Sequence, residues 1–187
     1  MDRRIQIPMP DGVLAAYVAT PRVTPAPAIV VIHEVFGVNA DLRQTCDGLA
    51  AAGYLAICPD LFWRVEPGLE LTDRSEAELA KALALYNAFD IDHGVADIAA
   101  TLEATRRMPE STGKVGLVGY CLGGLLAFLA TARVGADAAV AYYPGNADRH
   151  LEEAGGIASP LLVHLAEHDE FIPQQAQQSI AGAVRRQ

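Results

Sequence analysis

One of the three cysteines in this chain stands where a side chain can do chemistry. Gly119-Tyr120-Cys121-Leu122-Gly123-Gly124 follows an apolar run, Lys114 to Gly119, and opens a helix-forming run, Leu122 to Arg133. The G-x-nucleophile-x-G spacing between a strand and a helix is that of a nucleophile elbow, with cysteine in place of serine. A helix N-terminus carries a partial positive charge that favours a thiolate at Cys121. The flanking glycines suit a turn so sharp that a Cβ at either position strikes the neighbouring strand or helix. The chemistry offered is nucleophilic catalysis by a thiolate. A packing cysteine in a glycine-rich turn is the bland alternative, and the strand–turn–helix setting speaks against it. Cys46 falls on the apolar face of a helix and Cys58 ends an apolar strand, so both read as packing residues.

A nucleophile at a strand end needs a scaffold, and the rest of the chain reads as one. Ile5 to Met9 and Val13 to Val18 flank a Pro10-Asp11-Gly12 turn, the pattern of an opening hairpin. Ala28 to Ile32, Tyr54 to Cys58, Lys114 to Gly119, Ala138 to Tyr143 and Leu161 to Leu165 read as strands. Between them come helical runs. Asn39 or Asp41 caps the first, whose face is Leu42, Cys46 and Leu49, and Gly53 ends it. Glu76 to Phe89 puts Leu79, Leu83 and Tyr86 inward; Asp92 to Arg107 puts Val95, Ile98, Ala99 and Leu102 inward. Pro173 to Arg185 carries Ala176, Ile180, Ala183 and Val184 on one face, and Phe62 to Thr72 is irregular. Alternating strands and helices imply a mainly parallel sheet covered on both faces, with ligands bound beyond the carboxyl ends of its strands. The residues just past those ends are His33-Glu34, Pro59-Asp60, Cys121, Pro144 and His168-Asp169.

These segments together resemble the dienelactone hydrolases of the α/β-hydrolase superfamily. The resemblance is carried by Val31-Ile32-His33-Glu34-Val35-Phe36-Gly37-Val38-Asn39, Cys58-Pro59-Asp60-Leu61, Gly116 to Gly124, and His168-Asp169-Glu170-Phe171-Ile172-Pro173. They follow the family's order over nearly the whole chain. It implies an α/β-hydrolase fold, doubly wound and mainly parallel, that cleaves a small lactone or ester without metal or organic cofactor. It implies Cys121 as nucleophile, Asp169 as the acid that orients a histidine, and Glu34 as the group that keeps the resting thiol neutral and takes its proton. Backbone N–H groups of Leu122 and Val35 are implied as the oxyanion hole. Phe36, Tyr86 and Trp63 are candidates to line an apolar acyl pocket. His33 is read as a structural residue that holds the loop after its strand.

Two departures from the family pattern follow. No histidine comes after His168, so the family's last strand, histidine loop and helix are expected to be missing from this chain. Leu79 stands where the family has a substrate-binding arginine, with Arg74 and Lys81 nearby, so a lactone or ester other than dienelactone is expected. An α/β-hydrolase-like binding protein without catalysis is the alternative function. A third, a zinc hydrolase, rests on His164-Leu165-Ala166-Glu167-His168, but on a strand these histidines lie too far apart for one ion.

Composition narrows the choice. At roughly 150 residues per domain, 187 residues suggest a single domain over 1–187. With 51% apolar and 20% charged residues the chain is globular. A net charge of −9 argues against nucleic-acid binding, and no phosphate-loop or dinucleotide fingerprint occurs. Three cysteines, an odd count without metal spacing, fit a reducing compartment, the cytoplasm. Val115 to Ala132 is uncharged and just long enough to span a bilayer, but four glycines interrupt it. The partner is expected to be a small molecule, and the protein a monomer or weak homodimer.

Overall fold

The computed structural model describes residues 3–185; the ends of the 1–187 reading, Met1, Asp2, Arg186 and Gln187, lie outside the described residues. The strands are β1 (Arg4–Met9), β2 (Gly12–Ala19), β3 (Ala26–Ile32), β4 (Leu55–Pro59), β5 (Ser111–Tyr120), β6 (Ala139–Tyr142) and β7 (Leu161–His164). The helices are α1 (Ala40–Ala51), α2 (Glu76–Ala88), α3 (Ile91–Arg107), α4 (Leu122–Arg133) and α5 (Gln174–Val184). The strands join one sheet in the order β1-β2-β4-β3-β5-β6-β7. The opening hairpin is antiparallel and β2 pairs antiparallel with β4; β4, β3, β5, β6 and β7 run parallel.

After β3 the chain adds β4 on one side, then crosses to add β5 on the other, so the strand order reverses at β3 and β5. A crevice opens at such a point because the two connections leave in opposite directions. Ile32 pairs with Gly119, so Glu34 and Cys121 leave the sheet side by side.

Apolar side chains bury on both faces. Leu14, Val30, Ile32, Ile57 and Leu117 meet α3 and α4 through Ile98, Leu102, Leu125 and Phe128. On the other face Val31, Ala56 and Cys58 meet α1 through Leu42 and Cys46. Every residue of α4 from Leu122 to Thr131 is buried. A helix with no wet face needs no amphipathic period, which explains the uncharged Val115–Ala132 stretch as a central strand and helix. No helix of the described residues is long and apolar enough to cross a membrane.

Of the two candidate caps it is Asn39, not Asp41, that caps α1: its Oδ1 accepts from the Leu42 N–H at 3.1 Å. Gly53 follows that helix at φ 98°, a left-handed conformation that glycine adopts without a Cβ penalty. One reading is corrected and one element is added. In α2, Leu79 and Leu83 are exposed, at 40% and 43%, while Ala82 is buried and Leu85 and Tyr86 pack on the core. Apolar residues lie all around this helix, so spacing alone admits two faces and tertiary contact selects one. A kinked 3-10 segment, Ala147–Gly156, follows β6 unannounced by any period and buries Ala147 and Ala154.

Candidate active site

The elbow between β5 and α4 is built by the exclusion of side chains. A Cβ on Gly119 would lie 1.9 Å from the Gly123 carbonyl oxygen. One on Gly123 would lie 2.2 Å from the Ile32 oxygen, and one on Gly124 2.3 Å from the Tyr142 oxygen. Only glycine lets the helix start press directly onto the ends of β3 and β6. Cys121, squeezed between them, takes φ 54° and ψ −112°. That is a strained conformation for a residue with a Cβ, held because the surrounding packing over-determines it. Its half-buried thiol stands at the first turn of α4, where the Leu122 N–H favours the thiolate.

The loop after β3 faces it. His33 is fully buried; its Nδ1 lies 2.6 Å from the Glu34 carbonyl oxygen, and its Nε2 lies 3.0 Å from the Leu61 nitrogen. The structural reading of His33 thus has a geometry. Leu71 N–H donates to the Phe36 carbonyl at 2.9 Å, and Asn39 Nδ2 donates to the Leu71 carbonyl at 3.1 Å. Asp60 ties the irregular segment together by accepting from the Phe62 and Gly68 N–H groups at 3.1 and 2.7 Å. Among the described residues, the Val35 N–H donates to no backbone or side-chain acceptor.

Burial dominates the electrostatics. It pushes the Glu34 carboxyl above its usual range, and the negative charges of Asp41 and Asp73 add to the shift. Burial likewise raises the Cys121 thiol; the Leu122 N–H opposes this, while Glu34 and Asp169 reinforce it. The resting pair therefore favours a neutral thiol beside a carboxyl group that holds its proton more tightly than an exposed one. Tyr143 is pushed up to about 12 by burial and then by Glu34 and Cys121. Tyr86 is raised by burial and, to a lesser extent, by Cys121, while the Asn146 amide that donates to its hydroxyl pulls the other way.

Glu34, Asp169 and Tyr86 thus all lie within electrostatic reach of Cys121. Asp169 sits in the loop after β7, where its Oδ1 accepts from the Phe171 and Ile172 N–H groups at 2.8 and 3.0 Å. Among the described residues its Oδ2 accepts no hydrogen bond. Phe36 packs its half-buried ring against the core. Trp63 does not join this group, a correction to its reading as a pocket residue. Its indole N–H donates to Asp97 at 3.0 Å, and its ring lies beneath Gly12 with the Arg64 guanidinium 4.2 Å above it. The Asp97 carboxylate, buried on α3 and forked by Arg64, draws the indole to the β1–β2 edge. Tyr143 and Asn146 are additions. Both have positive φ, 37° and 64°, in the turn around Pro144, which a strand-end search flags but residue type alone does not.

Lys81 is occupied by Glu66 at 2.7 Å. His164 ends β7 and stacks on Tyr142, with centroids 4.3 Å apart and planes at 6°. His168 is exposed in the loop beyond. His150, Glu152 and Glu153 lie within 4.8 Å of one another, but Arg133 forks onto Glu153 at 2.5 and 2.7 Å and takes up its charge.

Comparison with known proteins places the chain in a family. The dienelactone hydrolase family profile matches residues 14–187. A carboxymethylenebutenolidase of Pseudomonas putida is 43% identical over 177 residues, which span 94% of this chain and 75% of that enzyme. Carboxymethylenebutenolidase 1 of Cupriavidus pinatubonensis is 37% identical over 165 residues, 88% of this chain and 70% of its own. Among solved structures, a dienelactone hydrolase of Anabaena variabilis superposes with a TM-score of 0.72 at 20% identity, covering 98% of this chain and 79% of its own. A dienelactone hydrolase-like promiscuous phosphotriesterase from metagenomic libraries reaches 0.80 at 23%, with coverages of 98% and 76%. Fold, motifs and relatives converge: the chain belongs to the dienelactone hydrolase family and is a lactone or ester hydrolase of the α/β-hydrolase fold.

Proposed function

We propose that this protein cleaves a small lactone or ester through Cys121, by way of an acyl-thioester. The observation that carries the reading is the strained Cys121 at the head of α4 with Glu34 beside it. In the first half-reaction the Glu34 carboxylate takes the thiol proton and the sulfur attacks the carbonyl carbon. The tetrahedral oxyanion accepts hydrogen bonds from the Leu122 and Val35 N–H groups, which donate to no backbone carbonyl among the described residues. Collapse expels the alkoxide, which takes the proton from Glu34. Water then attacks the thioester, and the thiol regains its proton.

A resting neutral thiol suits a lactone hydrolase. It resists adventitious alkylation and oxidation, both reactions of the thiolate, and the proton leaves only when the base is engaged. Oxygen leaving groups need less acid assistance than amines do, so esters and lactones fit this set better than amides. Tyr86 and Phe36 are the residues we assign to the acyl side. Asp169, whose charge reaches Cys121, is assigned as the acid that orients a base for water. Glu34, Cys121 and Asp169 all follow strands of one sheet, which supports reading the chain as one domain.

The test is intact-mass spectrometry after brief exposure to p-nitrophenyl acetate, alongside steady-state turnover. Wild-type protein is expected to gain one acetyl group on Cys121, and Cys121→Ala to gain none while losing at least about 1,000-fold in turnover. Turnover untouched in Cys121→Ala refutes the nucleophile. An adduct that persists without turnover identifies a competent first half-reaction and a slow second one.

A further inference from the structure

The buried imidazole on the rim of the site takes no part in the chemistry above, yet it touches the peptide that matters most to it. Nδ1 of His33 lies 2.6 Å from the Glu34 carbonyl oxygen, and Nε2 lies 3.0 Å from the Leu61 nitrogen. Each partner can play only one part: a carbonyl oxygen accepts and a peptide N–H donates. Nδ1 therefore carries the proton and donates to Glu34, while Nε2 accepts from Leu61. Burial pushes the His33 pKa down, so the ring is neutral and held in that single tautomer.

The Glu34 carbonyl and the Val35 N–H belong to the same peptide unit. That unit is planar and trans, so its C=O and N–H point in opposite directions. A donor that fixes the carbonyl therefore fixes the N–H as well. With the carbonyl drawn toward the buried ring, the Val35 N–H faces away from it, and no acceptor among the described residues competes for it.

We infer that His33 is the positioning residue of the oxyanion hole: its Nδ1–H holds the Glu34 carbonyl and thereby aims the Val35 N–H at the carbonyl oxygen of a substrate bound to Cys121. The inference rests on the reading of Cys121 as nucleophile and of Val35 as an oxyanion donor. Gly123 completes the arrangement. It packs against the Ile32 and His33 carbonyl oxygens, so the second donor, Leu122, is registered to the same strand end. Through Leu61, His33 also anchors the hole to the segment after β4.

Two substitutions separate aiming from packing. In His33→Asn the amide nitrogen stands near the place of Nδ1, so a donor to Glu34 is kept and the acceptor for Leu61 is lost. In His33→Gln the amide oxygen reaches toward the place of Nε2, so Leu61 is kept and the donor to Glu34 is lost. Each leaves one backbone group without its partner, so their structural costs are alike. The readouts are the rate of Cys121 acetylation by p-nitrophenyl acetate, which passes through an oxyanion, and of Cys121 alkylation by iodoacetamide, which does not. Peptide mapping confines both readouts to Cys121.

His33→Gln is expected to acetylate about 10- to 100-fold more slowly than wild type and to alkylate at nearly the wild-type rate. His33→Asn is expected to stay within about threefold of wild type in both, since the aimed donor is retained. The inference is overturned if His33→Gln loses both rates together or neither, or if His33→Asn loses acetylation alone. If His33→Gln does not fold, His33→Asn decides by the same criterion. A wild-type Cys121 that alkylates but never acetylates overturns the nucleophile reading, and this inference with it.

Discussion

Two strand-end loops bring a carboxylate to Cys121, and they are built in opposite ways. The loop after β3 is bolted to distant parts of the chain. His33 reaches Leu61, Asn39 reaches Leu71, and Gly37 packs so close to the Leu69 carbonyl that a Cβ would sit 2.1 Å from its oxygen. The loop after β7 holds itself. Asp169 accepts from the Phe171 and Ile172 N–H groups two and three residues on, Ile172 is buried, and Phe171 is 85% exposed. The difference follows the tasks assigned to the two acids. A carboxyl group that must take and return a proton needs a dry surround to raise its pKa, and a dry surround takes many elements to build. An acid that only presents charge can stay wet on a local turn.

The comparison can be broken most severely at its hinge. Gly123→Ala drives a Cβ to 2.2 Å from Ile32 oxygen and 2.7 Å from His33 oxygen, with backbone on both sides and no side chain able to yield. A loss of about 3 kcal/mol or more is expected, read as a lower urea midpoint.

Glu34→Gln is next, with turnover expected to fall about 100-fold, the scale of a lost general base. Because Glu34 raises the Cys121 thiol, the same variant should move the alkylation pH profile of Cys121 to lower pH. An unmoved profile refutes the coupling. The linkage has a definite sign. The folded Glu34 pKa lies above its unfolded value, so between the two the folded state binds more protons and stability falls as pH rises. Glu34→Gln should therefore be the more stable protein at neutral pH and lose that advantage below the ordinary glutamate range. Denaturant midpoints at several pH values check this.

Asn39→Ala removes both the α1 cap and the bond to the Leu71 carbonyl. A cost of about 1–2 kcal/mol is expected, and because it loosens the bolted loop it should reduce acetylation of Cys121 as well. The mildest structural effect belongs to Asp169→Ala. Its partners are N–H groups of a wet turn, so stability should change by no more than about 1 kcal/mol. Its effect should appear in deacylation. Equal destabilisation by Asn39→Ala and Asp169→Ala would erase the distinction between the loops.

The legible parts of this protein share a property. The elbow could be read because its constraint is local: within six residues the strand must turn into a helix, and the backbone contacts of Gly119, Gly123 and Gly124 follow from that turn. The opening hairpin, the alternation of strands and helices and the inward face of α3 were legible for the same reason, since period and turn signals act over a few residues, and the α1 cap was narrowed to Asn39 or Asp41. Glu34 and Asp169 stood out because a parallel sheet puts function past the carboxyl ends of its strands.

What the sequence could not determine involves partners far apart along it. Trp63 has the composition of a pocket residue and the location of a structural one, because Asp97, 34 positions on, holds its N–H. Leu79 and Leu83 lie outward although their spacing permits either face. Tyr143 carries no signal of type, yet it lies within electrostatic reach of both Glu34 and Cys121. His33 was legible as a structural residue, but its proton could not be assigned until Leu61, 28 positions away, supplied the donor that leaves Nε2 bare. The amino-acid sequence by itself determined which groups can react, because reactivity and tight turns are properties of short segments. Only the tertiary structure decided which groups are dry, neutral and aimed, because each of those depends on neighbours that chain order does not specify.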